Sequence, residues 1–145
     1  MKIIEVYSDD GHVKNSKWLA RAESVHRQLR PLLPADYVAK MNRVLESARM
    51  VLAVEGNEVL GIAVYRWHEN TFDGLKFYVD DLVTDEAHRS EGVGHALIEH
   101  LEDAARKLDA NGLALDSGTQ RTQAHKFYFR EGFVISAFNF KKSIL

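Results

Sequence analysis

At 145 residues the chain has the length of one domain, enough to bury roughly two thirds of its extended-chain surface. A formal charge of −2 leaves no basic stripe for nucleic acid and no polybasic patch for lipid. The absence of cysteine removes disulfides, thiol nucleophiles and Cys-type zinc sites. Met1 to Glu5 lacks the long apolar stretch of a signal peptide, and no run reaches membrane-spanning length, so a cytoplasmic protein is expected.

The elements follow in chain order. Lys2 to Tyr7 is a short β-rich run ended by Ser8-Asp9-Asp10-Gly11. Trp18, Ala22, Val25 and Leu29 recur at steps of four, three and four, one face of a helix, which Pro31 and Pro34 break. Asp36 can cap a second helix with Tyr37, Met41, Val44, Leu45 and Ala48 on its apolar side. Met50 to Val54 and Val59 to Trp67 flank Gly56-Asn57 and predict a hairpin. A polar loop, His68 to Gly74, leads to a strand over Lys76 to Thr84.

Val93, Leu97, Leu101, Ala104, Ala105 and Leu108 then mark an amphipathic helix, with Asn111-Gly112 as its stop. Leu113 to Leu115 predicts a short strand, Gln120 to Arg130 a short helix, and Phe133 to Phe140 a final strand. The resulting order, β-α-α-β-β-β-α-β-α-β, implies an α/β fold with a mixed sheet and helices on both faces. No linker or repeat divides it, so residues 1–145 are expected to form a single domain.

The most informative segment is Arg89-Ser90-Glu91-Gly92-Val93-Gly94, between a strand and a helix. Two glycines at a helix start clear side chains from free backbone N–H groups. The helix dipole adds positive potential, and Arg89 adds a charge that can grip phosphate oxygens. The chemistry suits a pyrophosphate. A dinucleotide fingerprint would need a small residue where Leu97 stands, and a P-loop would need Lys-Ser/Thr where His95-Ala96 stands.

Arg89 to Gly94 resembles the Arg/Gln-x-x-Gly-x-Gly/Ala signature of the GNAT superfamily of acyl-CoA-dependent N-acetyltransferases. A second segment, Ala124 to Phe133, resembles the family's Ala-x-x-Phe/Leu-Tyr-x-x-x-Gly-Phe at Ala124, Phe127, Tyr128, Gly132 and Phe133. The resemblance covers nearly the whole chain. It implies a mostly antiparallel central sheet, about four helices, and a gap between splayed fourth and fifth strands where acetyl-CoA lies as cosubstrate. The implied cofactor contacts are Leu82, Val83 and Thr84 for the pantetheine arm, and Arg89, Ser90, Glu91, Gly92, Val93, Gly94, His95 and Ala96 for the pyrophosphate. Arg121 stands where many members carry an asparagine that touches the cofactor arm, and could reach a coenzyme phosphate instead.

The implied reaction is transfer of acetyl from acetyl-CoA to a primary amine by direct attack. An ammonium must first lose a proton to a base, and the leaving thiolate is helped by an acid. A tyrosine, with a pKa of about 10, stays protonated at neutral pH and can donate. The resemblance assigns this role to Tyr128, which otherwise reads as an amphipathic core tyrosine. Asp80 and Asp81 are the candidate bases, with Asp80 favoured by its match to an acidic position in polyamine-acetylating relatives. Strand alternation lets only one of the pair face an acceptor cavity unless a bulge intervenes.

Asp116 reads as a turn cap or an anchor for a cationic acceptor. Trp18 and Trp67 fit either a pocket wall or the core. The seven histidines form no metal-binding motif, so no metal is expected. A non-catalytic acyl-CoA sensor or interaction module is the alternative function. The acceptor pocket is expected at about Trp18 to Tyr37 plus the His68–Gly74 loop, and the final strand could support a homodimer.

Overall fold

Five strands form the central sheet in the order β1 (Lys2–Val6), β4 (Arg49–Glu55), β5 (Glu58–Asn70), β6 (Gly74–Thr84) and β7 (Leu113–Leu115). The first four pair antiparallel throughout. Helices α1 (Lys17–Leu29), α2 (Tyr37–Val44) and α3 (Val93–Lys107) complete the first of two units, Met1–Ala114. The second unit, Leu115–Leu145, contains α4 (Thr122–Arg130). The computed structural model describes residues 1–145.

The sequence of β4 explains its place. Met50 to Val54 is an unbroken apolar run, and all five residues are buried, as befits a strand covered on both faces. Met50, Leu52, Val54, Ile62 and Val64 pack with Leu19, Ala22 and Val25 of α1 and with Tyr37 and Met41 of α2. Against the sheet, α3 contributes Val93, Leu97, Ile98, Leu101 and Ala105, all buried. Gly61 permits this close approach. A Cβ there would lie 2.6 Å from Val93 Cγ1, 3.1 Å from Leu97 Cδ1 and 3.2 Å from the Val83 carbonyl oxygen.

Several boundaries differ from expectation. A two-residue-per-strand hairpin, β2 (Ser8–Asp9) with β3 (His12–Val13), occupies what reads as a simple chain turn. The expected polar loop His68–Gly74 is largely strand, since β5 runs on to Asn70 and only residues 71–73 turn. There Asn70 Oδ1 accepts from the Phe72 and Asp73 N–H groups at 3.2 and 2.7 Å. Helix α3 stops at Asp109 (φ 58°), before Asn111-Gly112. The Ala110 N–H bonds the Ala105 carbonyl at 3.0 Å and the Asp109 N–H bonds Arg106 at 3.1 Å, so an aspartate fills the left-handed stop that glycine usually takes.

In the second unit α4 ends as its sequence predicts, at Gly132 (φ 90°), with the Phe133 N–H bonded to the Tyr128 carbonyl at 3.0 Å. The expected final strand, Phe133 to Phe140, does not form. A strand's apolar composition is not sufficient without an edge to share its N–H and C=O groups. Val134, Ile135, Phe138 and Phe140 are all more than 70% exposed.

Candidate active site

The strand-to-helix turn is made of backbone. After β6 a 3₁₀ turn (Glu86–His88) is capped by Asp85, whose Oδ1 accepts from the Ala87 N–H at 3.3 Å. Ser90 and Gly92 then adopt left-handed φ values of 65° and 84°. The first intrahelical bond of α3 runs from the Ala96 N–H to the Gly92 carbonyl at 3.0 Å. The N–H groups of Val93, Gly94 and His95 therefore have no acceptor within the helix, and no side chain caps them. Alternating turn conformations ahead of such N–H groups make a concave anion cradle.

Arg89 is exposed, with no ion pair to the protein. Glu91 is exposed and accepts from His88 Nδ1 at 2.9 Å. His88 also lies 3.2 Å from Glu58, and the two glutamates raise its pKa, Glu91 foremost. His95 is exposed and lies 3.4 Å from Glu99. Leu82, Val83 and Thr84 close β6 immediately before this turn. Asn111 Nδ2 donates to the Asp73 carbonyl at 3.0 Å, which brings the chain before β7 to the opposite end of β6. Beside the eleven residues of β6, β7 has three, so much of the outer edge lacks a strand partner.

A bulge decides what the acidic pair does. Val64 faces Asp81 and Tyr65 faces Val79, which leaves Asp80 as the extra residue of β6. Simple alternation would expose only one of Asp80 and Asp81 to a given face. The bulge is the exception that alternation allows, and both carboxylates line a single cavity of about 730 Å³. Its other walls come from the α1–α2 connection and α2, notably Leu33, Met41 and Val44. Arg27 fixes that connection, donating to the Leu33 and Pro34 carbonyls at 2.6 and 2.7 Å.

The cavity thus uses part of the expected 18–37 region. Trp18 is instead a core residue, and the 68–74 segment lies elsewhere. Trp67 stacks with Tyr65 and Phe77.

The two carboxylates have different surroundings. Asp80 Oδ2 is held by Arg66, at 2.8 Å from Nε and 2.6 Å from the second guanidinium nitrogen. Its Oδ1 has no protein partner. Both oxygens of Asp81 are engaged: Oδ1 by Arg30 at 2.7–2.8 Å and Oδ2 by His26 Nε2 at 2.8 Å. Burial alone would raise the Asp81 carboxyl, but the bonds from His26 and Arg30 outweigh it and hold the group below the usual carboxylate range.

Behind Asp81 the chain of bonds continues inward. His26 is 1% exposed, and its Nδ1 lies 2.8 Å from the Tyr37 hydroxyl. An ionised carboxylate only accepts, so His26 Nε2 carries a proton toward Asp81, and Tyr37 can donate to Nδ1. Burial raises the Tyr37 pKa, helped by the charges of Glu23 and Asp81, so the hydroxyl remains a donor. No sequence motif names His26, Tyr37 and Asp81 together. A usable signal was present: His26 falls four residues after Ala22 and Arg30 four after His26, in and beside the buried stripe of α1.

In the second unit Tyr128 is half-buried on α4, its ring 5.5 Å from Phe127 and 5.6 Å from Phe133. Arg121 is the exposed N-cap residue of that helix. His125 Nε2 lies 2.8 Å from the Gly118 carbonyl oxygen. Asp116, read as a turn cap, instead accepts from Asn139 Nδ2 at 2.7 Å.

These features have counterparts in known proteins. The profile of the Acetyltransferase (GNAT) family matches residues 15–133. The chain belongs to the GNAT acetyltransferase family. It is 39% identical over 72 residues to the Uncharacterized N-acetyltransferase YhdJ of Bacillus subtilis (strain 168), covering 49% of this chain and 51% of that protein. It is 30% identical over 97 residues to the Aminoalkylphosphonate N-acetyltransferase of Salmonella typhimurium (strain LT2), covering 64% and 61%. The matches thus span about half to three fifths of these curated relatives.

Among solved structures, the aminoglycoside N-acetyltransferase AAC(6')-Iy in complex with CoA shares the fold with a TM-score of 0.82 at 17% identity, over 99% of this chain and 95% of that one. An acetyltransferase structure from Agrobacterium tumefaciens str. C58 gives 0.79 at 19% identity, over 99% of each chain. No helix is long and apolar enough to cross a membrane.

Proposed function

We propose that the protein transfers the acetyl group of acetyl-CoA to a primary amine. The observation that carries this reading is the continuity of β6. Along one strand, the Asp80–Asp81 cavity, the strand end at Leu82–Thr84 and the uncapped start of α3 follow one another. That order suits an acceptor pocket next to a thioester path and then a pyrophosphate cradle.

In the proposed reaction the pantetheine amides bond the backbone of Leu82, Val83 and Thr84, while the pyrophosphate sits on the turn from Arg89 to Ala96. Arg121 supports a coenzyme phosphate. Oδ1 of Asp80, the carboxylate oxygen without a protein partner, takes the proton of the incoming ammonium. The amine lone pair then attacks the thioester carbonyl carbon. Backbone N–H groups along β6 stabilise the oxyanion, the C–S bond breaks, the Tyr128 hydroxyl protonates the departing thiolate, and the second proton shed by the nitrogen as it becomes an amide restores the Tyr128 hydroxyl. The exposed apolar segment from Phe133 to Phe140 finds its partner in a second copy of the chain, as a light-scattering mass of twice 16.5 kDa would register.

Calorimetric titration of acetyl-CoA, followed by a thiol-release assay with amines, tests the reading. One-to-one binding and amine-dependent release support it. Binding without release to a broad amine set supports a cofactor sensor, and no binding by folded protein overturns both.

A further inference from the structure

The charges that line the acceptor cavity do not balance, and the imbalance is local. Arg30, Arg66 and Lys40 bring three cations against the two carboxylates of Asp80 and Asp81. Each carboxylate already has its arginine: Arg66 on Asp80 and Arg30 on Asp81. His26 donates from Nε2 to the Asp81 carboxylate and brings no negative charge to the cavity. Lys40, half-buried on α2, has no protein partner. The cavity therefore offers one open carboxylate oxygen, Asp80 Oδ1, and one uncompensated ammonium.

A simple alkylamine entering as its ammonium would add a second uncompensated positive charge to a partly desolvated site. Like charges gathered there repel. An amine that carries its own anionic group adds no net charge, and the anion gives Lys40 a partner. Apolar groups of Leu29, Met41, Val44 and Val64 also line the cavity and suit a short methylene spacer. About 730 Å³ accommodates a small molecule of this kind.

We infer that the acceptor is a primary amine bearing an anionic group at its far end, with Asp80 facing the amine and Lys40 selecting the anion. This rests on the acetyltransferase reading above and narrows its substrate class.

The test uses three amines of matched length in the thiol-release assay: 4-aminobutanoate, 4-amino-1-butanol and 1,4-diaminobutane. The expected order of kcat/KM is butanoate, then alcohol, then diamine, with about tenfold between the first and second, as for a charge-assisted contact. Lys40→Gln should collapse the butanoate-to-alcohol ratio toward one through KM, and Lys40→Glu should invert the preference toward the diamine. Equal or better use of the alcohol or the diamine by the wild type overturns the inference and leaves the acetyltransferase reading intact. So does an unchanged ratio in both variants. If acetyl-CoA binds and none of the three releases thiol, the inference also falls, whereas failure to bind acetyl-CoA defeats the underlying reading itself.

Discussion

The turn into α3 and the cavity below it are built from different materials. The turn consists of backbone: left-handed Ser90 and Gly92, N–H groups without intrahelical acceptors, and one exposed arginine. The cavity consists of side chains from four elements, α1, α2, β5 and β6, bonded to one another at 2.6–2.8 Å. Backbone recognition is indifferent to most side chains, so the turn suits a ligand shared by many proteins. Side-chain recognition can be changed at every position, so the cavity is where one protein becomes distinct from its relatives.

Four perturbations press on that contrast. The largest effect belongs to proton traffic: Tyr128→Phe should lower kcat by about 10²–10⁴ at saturating amine, with little change in acetyl-CoA affinity. Unchanged turnover would remove Tyr128 from the reaction. Arg89→Glu should do the reverse, weakening acetyl-CoA binding by about 10- to 100-fold in calorimetry, the range expected for a charge-assisted phosphate contact. An unaffected Kd would mean that the backbone alone holds the phosphates.

Asp81→Asn tests the cavity's internal bonds. The folded-state pKa of Asp81 lies below its unfolded value of about 3.9, so its stabilisation is fully present above that pH and fades as pH falls through the lower folded value. The variant should lose about 1.5–3 kcal/mol at pH 7 in urea titration and show a flatter stability profile below pH 4. An equally steep acid profile in the variant would deny the pair its role.

Gly61→Ala should cost about 1–3 kcal/mol by crowding Val93 and Leu97 at the start of α3. If it weakens acetyl-CoA binding as well, the turn depends on packing beneath it. If binding is untouched, the backbone cradle tolerates displacement of its helix.

The same contrast explains what could be read from the sequence. The turn and its helix announce themselves within Arg89 to Gly94, because a glycine-rich helix start is a local pattern. The stop at Gly132 and the cap at Asp36, whose Oδ1 accepts from the Ala39 N–H at 3.0 Å, are local too. The cavity joins His26 and Arg30, Tyr37, Arg66, and the Asp80–Asp81 pair, and no local pattern links these four groups to one another. Phe133 to Phe140 misled for the opposite reason: its composition is that of a strand, but pairing is a property of two segments.

The extra residue at Asp80 has a consequence for inheritance by insertion and deletion. Residues of β6 on either side of it follow opposite parities: Asp81 and Val83 share a face with Asp80 and Tyr78, while Phe77 and Val79 belong to the other. Substituting Asp80 changes one side chain. Deleting it would join Val79 directly to Asp81 and leave every other residue on its present face, in unbroken pairing with Tyr65 and Val64. Phe77 would keep its stack with Tyr65 and Tyr78 its place in the cavity, and only the Asp80 carboxylate would be lost. A loss of three nucleotides there would spare the strand, whereas the same loss elsewhere in β6 would turn the residues between it and the bulge to the other face.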